Sequence, residues 1–461
     1  MIRATLCLLA LLVAAPQATL PDAAQKAIGD IVQRALDASG TPSASIAIVI
    51  DGKIAFAQAY GNAKVNPDVP ATASMRYKVA SNSKQFAAAS ILLLQEDGKL
   101  SLNDPVAKFL PDLTRAKDIT IRQLLSHTAG YRDYYPLDYV APFMAKDTTA
   151  DEILTKWAKT DLDFEPGSRW QYSNTNYVAV GRIIEKVSGQ SLMAFLRTRI
   201  LDTLGMKTAI DVTSTNWSAA DPIGYLHYGA GPLRPALPEG NNWMWAAGEL
   251  GMTASDLALW DISLMNGTIL KPASLKALST EVQLTGGTGT GYALGLQVST
   301  LANGHRRWTH SGGASGFVSR NTTYPDDKMS ITVLTNADGA PASPIAQRIE
   351  ALLLAPAADP TAAAALEKAK RLYASLVEGR VDAALIDSDL AAYFTPQAVA
   401  DFSASLKSMG AVTSFTEASR EDRGGMVHRT FSVQTATKRL SINAYIAKDG
   451  RFSQFLITTV A

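Results

Sequence analysis

A chain of 461 residues exceeds one ordinary core and predicts two domains, one of them large. Hydrophobic residues at 47% and charged residues at 18% exclude a disordered chain. A formal net charge of +1 excludes partners drawn by bulk charge, nucleic acid first among them, and excludes an acidic solvating tail.

Met1-Ile2-Arg3 gives a short positive start, Ala4 to Ala15 are almost wholly apolar, and small residues follow at Ala14, Ala15 and Ala18. This is the layout of a secretory signal peptide, too short to span a bilayer. Residues 1–19 are expected to be removed by cleavage between Ala15 and Leu20, placing the protein outside the cell or in a periplasm with no membrane span in the mature chain. The only cysteine, Cys7, lies in this leader. The mature chain therefore excludes disulfides, thiolate catalysis and cysteine metal sites.

From residue 20 to 356 the pattern predicts one large domain. Ile28, Ile31, Val32 and Leu36 set a helix over 24–38. Runs at 44–50 and 54–60 around Asp51-Gly52-Lys53 predict a β-hairpin. Tyr60-Gly61-Asn62, at its end, reads as a turn. Helical patterns follow at 82–97, 121–126, 150–159 and 176–198, then a turn-rich stretch from 214 to 252. Glycines 286, 287, 289 and 291 fit a hairpin loop rather than a nucleotide fingerprint. Strands return at 292–299, 306–311, 316–324 and 329–335, before a helix at 344–354. This order predicts an α+β fold: one antiparallel sheet from both chain ends, flanked by helices, with a large helical insert. Residues 357–364, rich in Ala and Pro, read as a linker. Residues 365–461 predict a small α+β domain, with helices carrying Leu372 and Phe402, then three strands, and no chemical motif.

Serine becomes a nucleophile when a neighbour takes its proton, and a desolvated lysine can do so. Ser81-Asn82-Ser83-Lys84 puts both side chains on one face at the start of an apolar helix. There the serine N–H also points outward, toward an oxyanion. Alone, Ser-x-x-Lys is no more than a helix cap beside a solvated lysine. Two further groups change the balance: Tyr172-Ser173-Asn174 just before a helix, and His310-Ser311-Gly312-Gly313 ending a strand.

Together these residues resemble the penicillin-recognising serine hydrolases, with their ordered Ser-x-x-Lys, Tyr-x-Asn and Lys-Thr-Gly or His-x-Gly motifs. The nearest branch holds class C β-lactamases, D,D-peptidases, D-aminopeptidases and esterases. Leu124-Leu125-Ser126-His127-Thr128-Ala129-Gly130 and Phe164-Glu165-Pro166-Gly167 resemble its connecting segments, and the likeness runs from about residue 24 to 354. It implies that Ser81 is acylated and Lys84 takes its proton. Tyr172 relays a proton to the leaving group, and Asn174 bonds the substrate. His310 adds positive or hydrogen-bonding character, and the Ser81 and Gly313 N–H groups form the oxyanion hole. Ser311 and Gly312 complete the substrate-binding strand.

His127 reads as structural, and the scattered histidines hold no His-Glu-x-x-His spacing, so neither metal nor cofactor is expected. No Gly-x-Ser-x-Gly elbow points to an α/β-hydrolase. Tyr131, Tyr134, Tyr135, Trp243 and Trp245 lie in loops that could wall the site, and Glu249 could meet a substrate amine or be solvated.

Where relatives carry a permanent lysine cation, His310 is largely neutral at pH 7. The expected substrate is therefore a small molecule or short peptide containing D-residues, cut at an amide. Ester hydrolysis, weak β-lactamase activity and a binding protein without turnover are the alternatives. Oligomeric state is not legible.

Overall fold

The computed structural model describes residues 19–212, 216–354, 359 and 361–460. The leader, Cys7 and its cleavage point lie outside these residues, apart from the final positions of the predicted cleavage window; most of the predicted linker lies outside them too. The chain divides after Leu354 into two compact units.

The first unit is built on a seven-stranded sheet drawn from both chain ends, as the element order predicts. Strands β1 (Ser43–Ile50), β2 (Lys53–Val65) and β3 (Asp68–Pro70) come from the start. Strands β4 (Gln297–Thr300), β5 (Arg306–Ala314), β6 (Phe317–Tyr324) and β7 (Met329–Thr335) come from the end. Their order across the sheet is β3-β2-β1-β7-β6-β5-β4. β1 pairs antiparallel with β7, Ala47 facing Thr332, and so closes the two ends on each other. Alternation along β1 sorts its side chains. Ala44, Ile46 and Ile48 pack under helices α1 (Asp22–Ser39) and α5 (Ala342–Leu353). Ala47 and Val49 face the helical insert.

That insert centres on α2 (Ser83–Glu96) and α3 (Asn174–Ser188). Every residue of α2 from Ser83 to Leu94 is buried. A helix apolar on all sides sits at the centre of a core, and α4 (Ala254–Asn266) covers it against the sheet.

Three details differ from the pattern reading. The helix predicted over 176–198 stops at Ser188, where Gly189 takes φ +72°, and another starts at Leu192. Tyr60-Gly61-Asn62 is not a turn but the interior of β2, where Gly61 has φ +75°. A side chain there would meet the Pro42 carbonyl at 2.1 Å, so β2 continues past β1 by using a glycine. The strand predicted at 292–299 begins only at Gln297. Leu294 and Leu296 alternate like strand residues, yet both are buried against the insert, and Gly295 turns between them at φ +77°.

The second unit packs Ala362–Val377 and Pro396–Ser408 on a four-stranded antiparallel meander from Val412 to Val460. The sequence predicts three of these strands. Of the four strands observed, Val412–Arg423 is a mostly polar edge strand, and an edge without an apolar face shows little alternation. Arg429 is buried here, held by Glu417 at 2.6 Å and by Asp359.

Candidate active site

Ser81 stands in a single 3-10 turn, Ala80–Asn82, that leads into α2. Ala80 takes φ +48°, a left-handed conformation rare outside glycine. The turn is clamped from two sides. Ser319 on β6 donates to the Val79 carbonyl at 2.7 Å, and Asn82 donates to Ser319 Oγ at 2.9 Å. Behind it, Gln85 joins Asn82 at 3.2 Å to the Trp260 indole at 3.0 Å. Strand β5 passes so close that a Cβ on Gly312 would lie 2.2 Å from the Val79 carbonyl and 2.4 Å from Ser319 Oγ. Gly312→Ala is therefore expected to cost about 1–3 kcal/mol by overpacking and to lower activity with it, read by thermal melting and turnover of the same preparation.

Lys84 lies one helical turn past Ser81 and is wholly buried. Its Nζ has three neighbours: Ser81 Oγ at 2.9 Å, Asn174 Oδ1 at 2.8 Å and the Ala247 carbonyl at 2.6 Å. Two of these can only accept, whereas the hydroxyl can donate. A neutral amine fits this set, giving its two protons to the acceptors and its lone pair to the Ser81 hydroxyl. Burial drives Lys84 toward that form, pulling its pKa down to about 7 against the opposing pull of Asp133.

The orientation of Asn174 follows from Asp133. The carboxylate accepts from Asn174 Nδ2 at 3.2 Å and from the Asn174 backbone N–H at 2.9 Å, which leaves Oδ1 for Lys84. Asp133 has no counterpart in the sequence reading; besides the nearby Tyr135 N–H, its partner is Asn174, 41 residues away.

Tyr172 precedes α3, lines the same cleft as Ser81, and lies with its ring 4.9 Å from Lys84 Nζ. Burial pushes its hydroxyl well above the ordinary range, so it stays protonated. His127 stacks beneath it with ring centroids 4.2 Å apart.

His310 sits inside β5, four residues from its end, and is buried. Of the positive or hydrogen-bonding character that the resemblance implies, the structure shows the hydrogen bonding. Burial, with Lys84 and Arg320 adding to it, holds its pKa down at about 3, so the ring is neutral. Both nitrogens are engaged, Nε2 with Tyr292 Oη at 2.9 Å and Nδ1 with the Ser311 carbonyl at 2.5 Å. Tyr292 also reaches His127 Nε2 at 3.2 Å. The sequence offers no sign of this link, because it joins positions 165 residues apart.

Ser81, Tyr172, Asn174 and Gly313 open into a cleft of about 900 Å³, within the range of small-ligand sites. Asp133, Tyr135, Asp138, Tyr139, Tyr228 and Asp338 also line it. Of the other aromatics, Tyr131, Tyr134 and Trp243 are buried packing residues. Trp245 borders a separate small cavity with Glu249. Glu249 is neither solvated nor at the cleft. It is 7% exposed, and burial raises its carboxyl to about 8.

An antiparallel sheet carrying a helical insert, with a serine and a desolvated lysine at their junction, defines a serine hydrolase of the penicillin-recognising class. The Beta-lactamase family model matches residues 28–355, and the chain belongs to that family. It is 30% identical over 326 residues to "Protein flp" of Staphylococcus aureus (strain N315), covering 69% of this chain and 64% of that protein. The chain thus spans less than two thirds of that relative's length. Among solved structures it resembles a D-stereospecific amidohydrolase from Streptomyces sp. at 28% identity and TM-score 0.61, over 71% of this chain and 99% of the other. The octameric penicillin-binding protein homologue from Pyrococcus abyssi matches 94% of this chain and all of its own at 22% identity and TM-score 0.63, a likeness of fold.

Proposed function

We propose that this chain is exported by its leader and hydrolyses amide bonds of D-amino-acid amides or peptides bearing a free amine, through an acyl-enzyme on Ser81. The observation that carries the chemistry is the Lys84 amine, buried and 2.9 Å from Ser81 Oγ. In this reading Lys84 takes the hydroxyl proton as Oγ bonds to the substrate carbonyl carbon. The Ser81 and Gly313 N–H groups receive the oxyanion. Tyr172 passes a proton to the departing amine as the C–N bond breaks, and water then hydrolyses the ester. Asn174 orients Lys84 from one side and offers its edge to substrate. The D-stereospecific amidohydrolase likeness supports an amide bond beside a D-residue.

The cleft's charge supports the free amine. Asp133, Asp138 and Asp338 line it, and among the described residues its lining holds no lysine or arginine. Lys78, nearby, is paired with Glu239 at 3.5 Å. Asp338 is raised to about 6, by burial first and by its acidic neighbours Glu239 and Asp138, and is still mostly ionised at pH 7. With His310 neutral, a substrate ending in a carboxylate meets no cation among the described lining residues, whereas an ammonium meets three carboxylates.

D-Phenylalanine p-nitroanilide is expected to be cut with a kcat/KM about tenfold or more above its N-acetyl derivative, and above N-acyl-D-Ala-D-Ala. Asp138→Asn with Asp338→Asn should erase most of that preference. Preference for the N-acyl-D-Ala-D-Ala peptide would instead indicate a D,D-peptidase. Turnover of p-nitrophenyl esters with no D-amide cleavage would indicate an esterase.

A further inference from the structure

Ser173 N–H donates to His127 Nδ1 at 3.1 Å, so the proton of neutral His127 is on Nε2. That Nε2–H faces Tyr292 Oη at 3.2 Å. Tyr292's own proton is then free for His310 Nε2 at 2.9 Å, which leaves the His310 proton on Nδ1, against the Ser311 carbonyl at 2.5 Å. Each donor finds an acceptor, and the direction is set at both ends by backbone groups. Both rings are buried and held neutral. The chain runs directly beneath the site: it starts at the residue after Tyr172, His127 stacks on the Tyr172 ring, and the His310 centroid is 6.1 Å from it. Trp170 and Tyr177 close the surround.

We infer that Tyr292 is a positioning residue of the active site: by bonding His127 and His310 together it fixes the platform under Tyr172 and keeps His310 uncharged. The charge matters to Lys84, which must become an ammonium when it takes the Ser81 proton. A second cation in the same buried space opposes that step, and His310 already feels the charge of Lys84. The inference rests on the acyl-enzyme reading above, but its test does not depend on which substrate is cleaved.

Tyr292→Phe keeps the ring and removes only the hydroxyl. Its kcat on p-nitrophenyl acetate is expected to fall tenfold or more with KM within about twofold, the loss growing toward low pH as His127 or His310 gains a proton. The groups facing them are Lys84, Arg320, Tyr172, Tyr177 and each other. In ¹⁵N-histidine spectra, wild-type His127 should hold its proton on Nε2 and His310 on Nδ1, unchanged from pH 5 to 9. Tyr292→Phe should mix or protonate these forms. Tyr292→Leu, which loses the ring as well, separates packing from bonding through its melting temperature. An unchanged kcat and pH profile in Tyr292→Phe, or a wild-type His310 proton found on Nε2, would overturn the inference. Failure of Ser81 to form an adduct with a phosphonate ester would overturn the acyl-enzyme reading, while the tautomer assignments would still stand or fall on the spectra.

Discussion

Ser81→Ala is expected to fold as the parent does and to lose at least about four orders of magnitude in kcat, with no covalent adduct on any substrate or inhibitor. The size of the effect follows from the site's connectivity. Lys84 and Tyr172 both converge on this one hydroxyl, so without it neither has a reacting atom to serve. The fold should be spared because the turn is held by Asn82, Ser319 and Gln85 rather than by the serine. Intact-mass measurement after mixing with a penicillin or a phosphonate ester reads the outcome. An adduct on wild type alone assigns the nucleophile. An adduct on the variant as well would move the nucleophile elsewhere.

The parts of this site legible in the sequence are those whose geometry is local. Ser81 and Lys84 are one helical turn apart, and a buried α2 makes that turn unavoidable. Tyr172, Asn174 and His310 lie far away in the chain, and they were reached through resemblance rather than through spacing. The resemblance gave their order but not their state. It implies a positive or bonding His310; burial first, then Lys84, lowers its pKa, and it bonds Tyr292. Asp133, Tyr292 and the stacking role of His127 carry no local pattern at all. Their partners come from other segments, and His127 itself needs a left-handed backbone, φ +60°, that no histidine advertises. The same limit governs the fold. β1 and β7 are rich in β-branched residues and buried along nearly their whole length, while the 292–296 stretch alternates and is nevertheless a turn against Lys84. There, a Cβ on Gly295 would stand 2.9 Å from the Lys84 carbonyl.

The second large effect is in pH. On a neutral ester, log kcat/KM is expected to rise with unit slope up to about pH 7 and then level. The sign follows from desolvation: burial destabilises the Lys84 ammonium, so the neutral base is the form present above its lowered pKa of about 7. No fall should follow on the alkaline side from Tyr172, whose hydroxyl burial keeps protonated, and none of the limb belongs to His310 at about 3. A neutral substrate is needed because Asp338, near 6, would add its own limb with a cationic one. Two variants separate Lys84 from other groups. Lys84→Arg holds its proton throughout and should lose about three orders of magnitude or more with no recovery up to pH 10. Asp133→Asn removes the negative charge that stabilises the ammonium, so the midpoint should move to lower pH, even as the loosened Asn174 lowers the plateau. A midpoint that moves up in Asp133→Asn, or that survives in Lys84→Arg, would assign the limb to another group and remove Lys84 from the role of base.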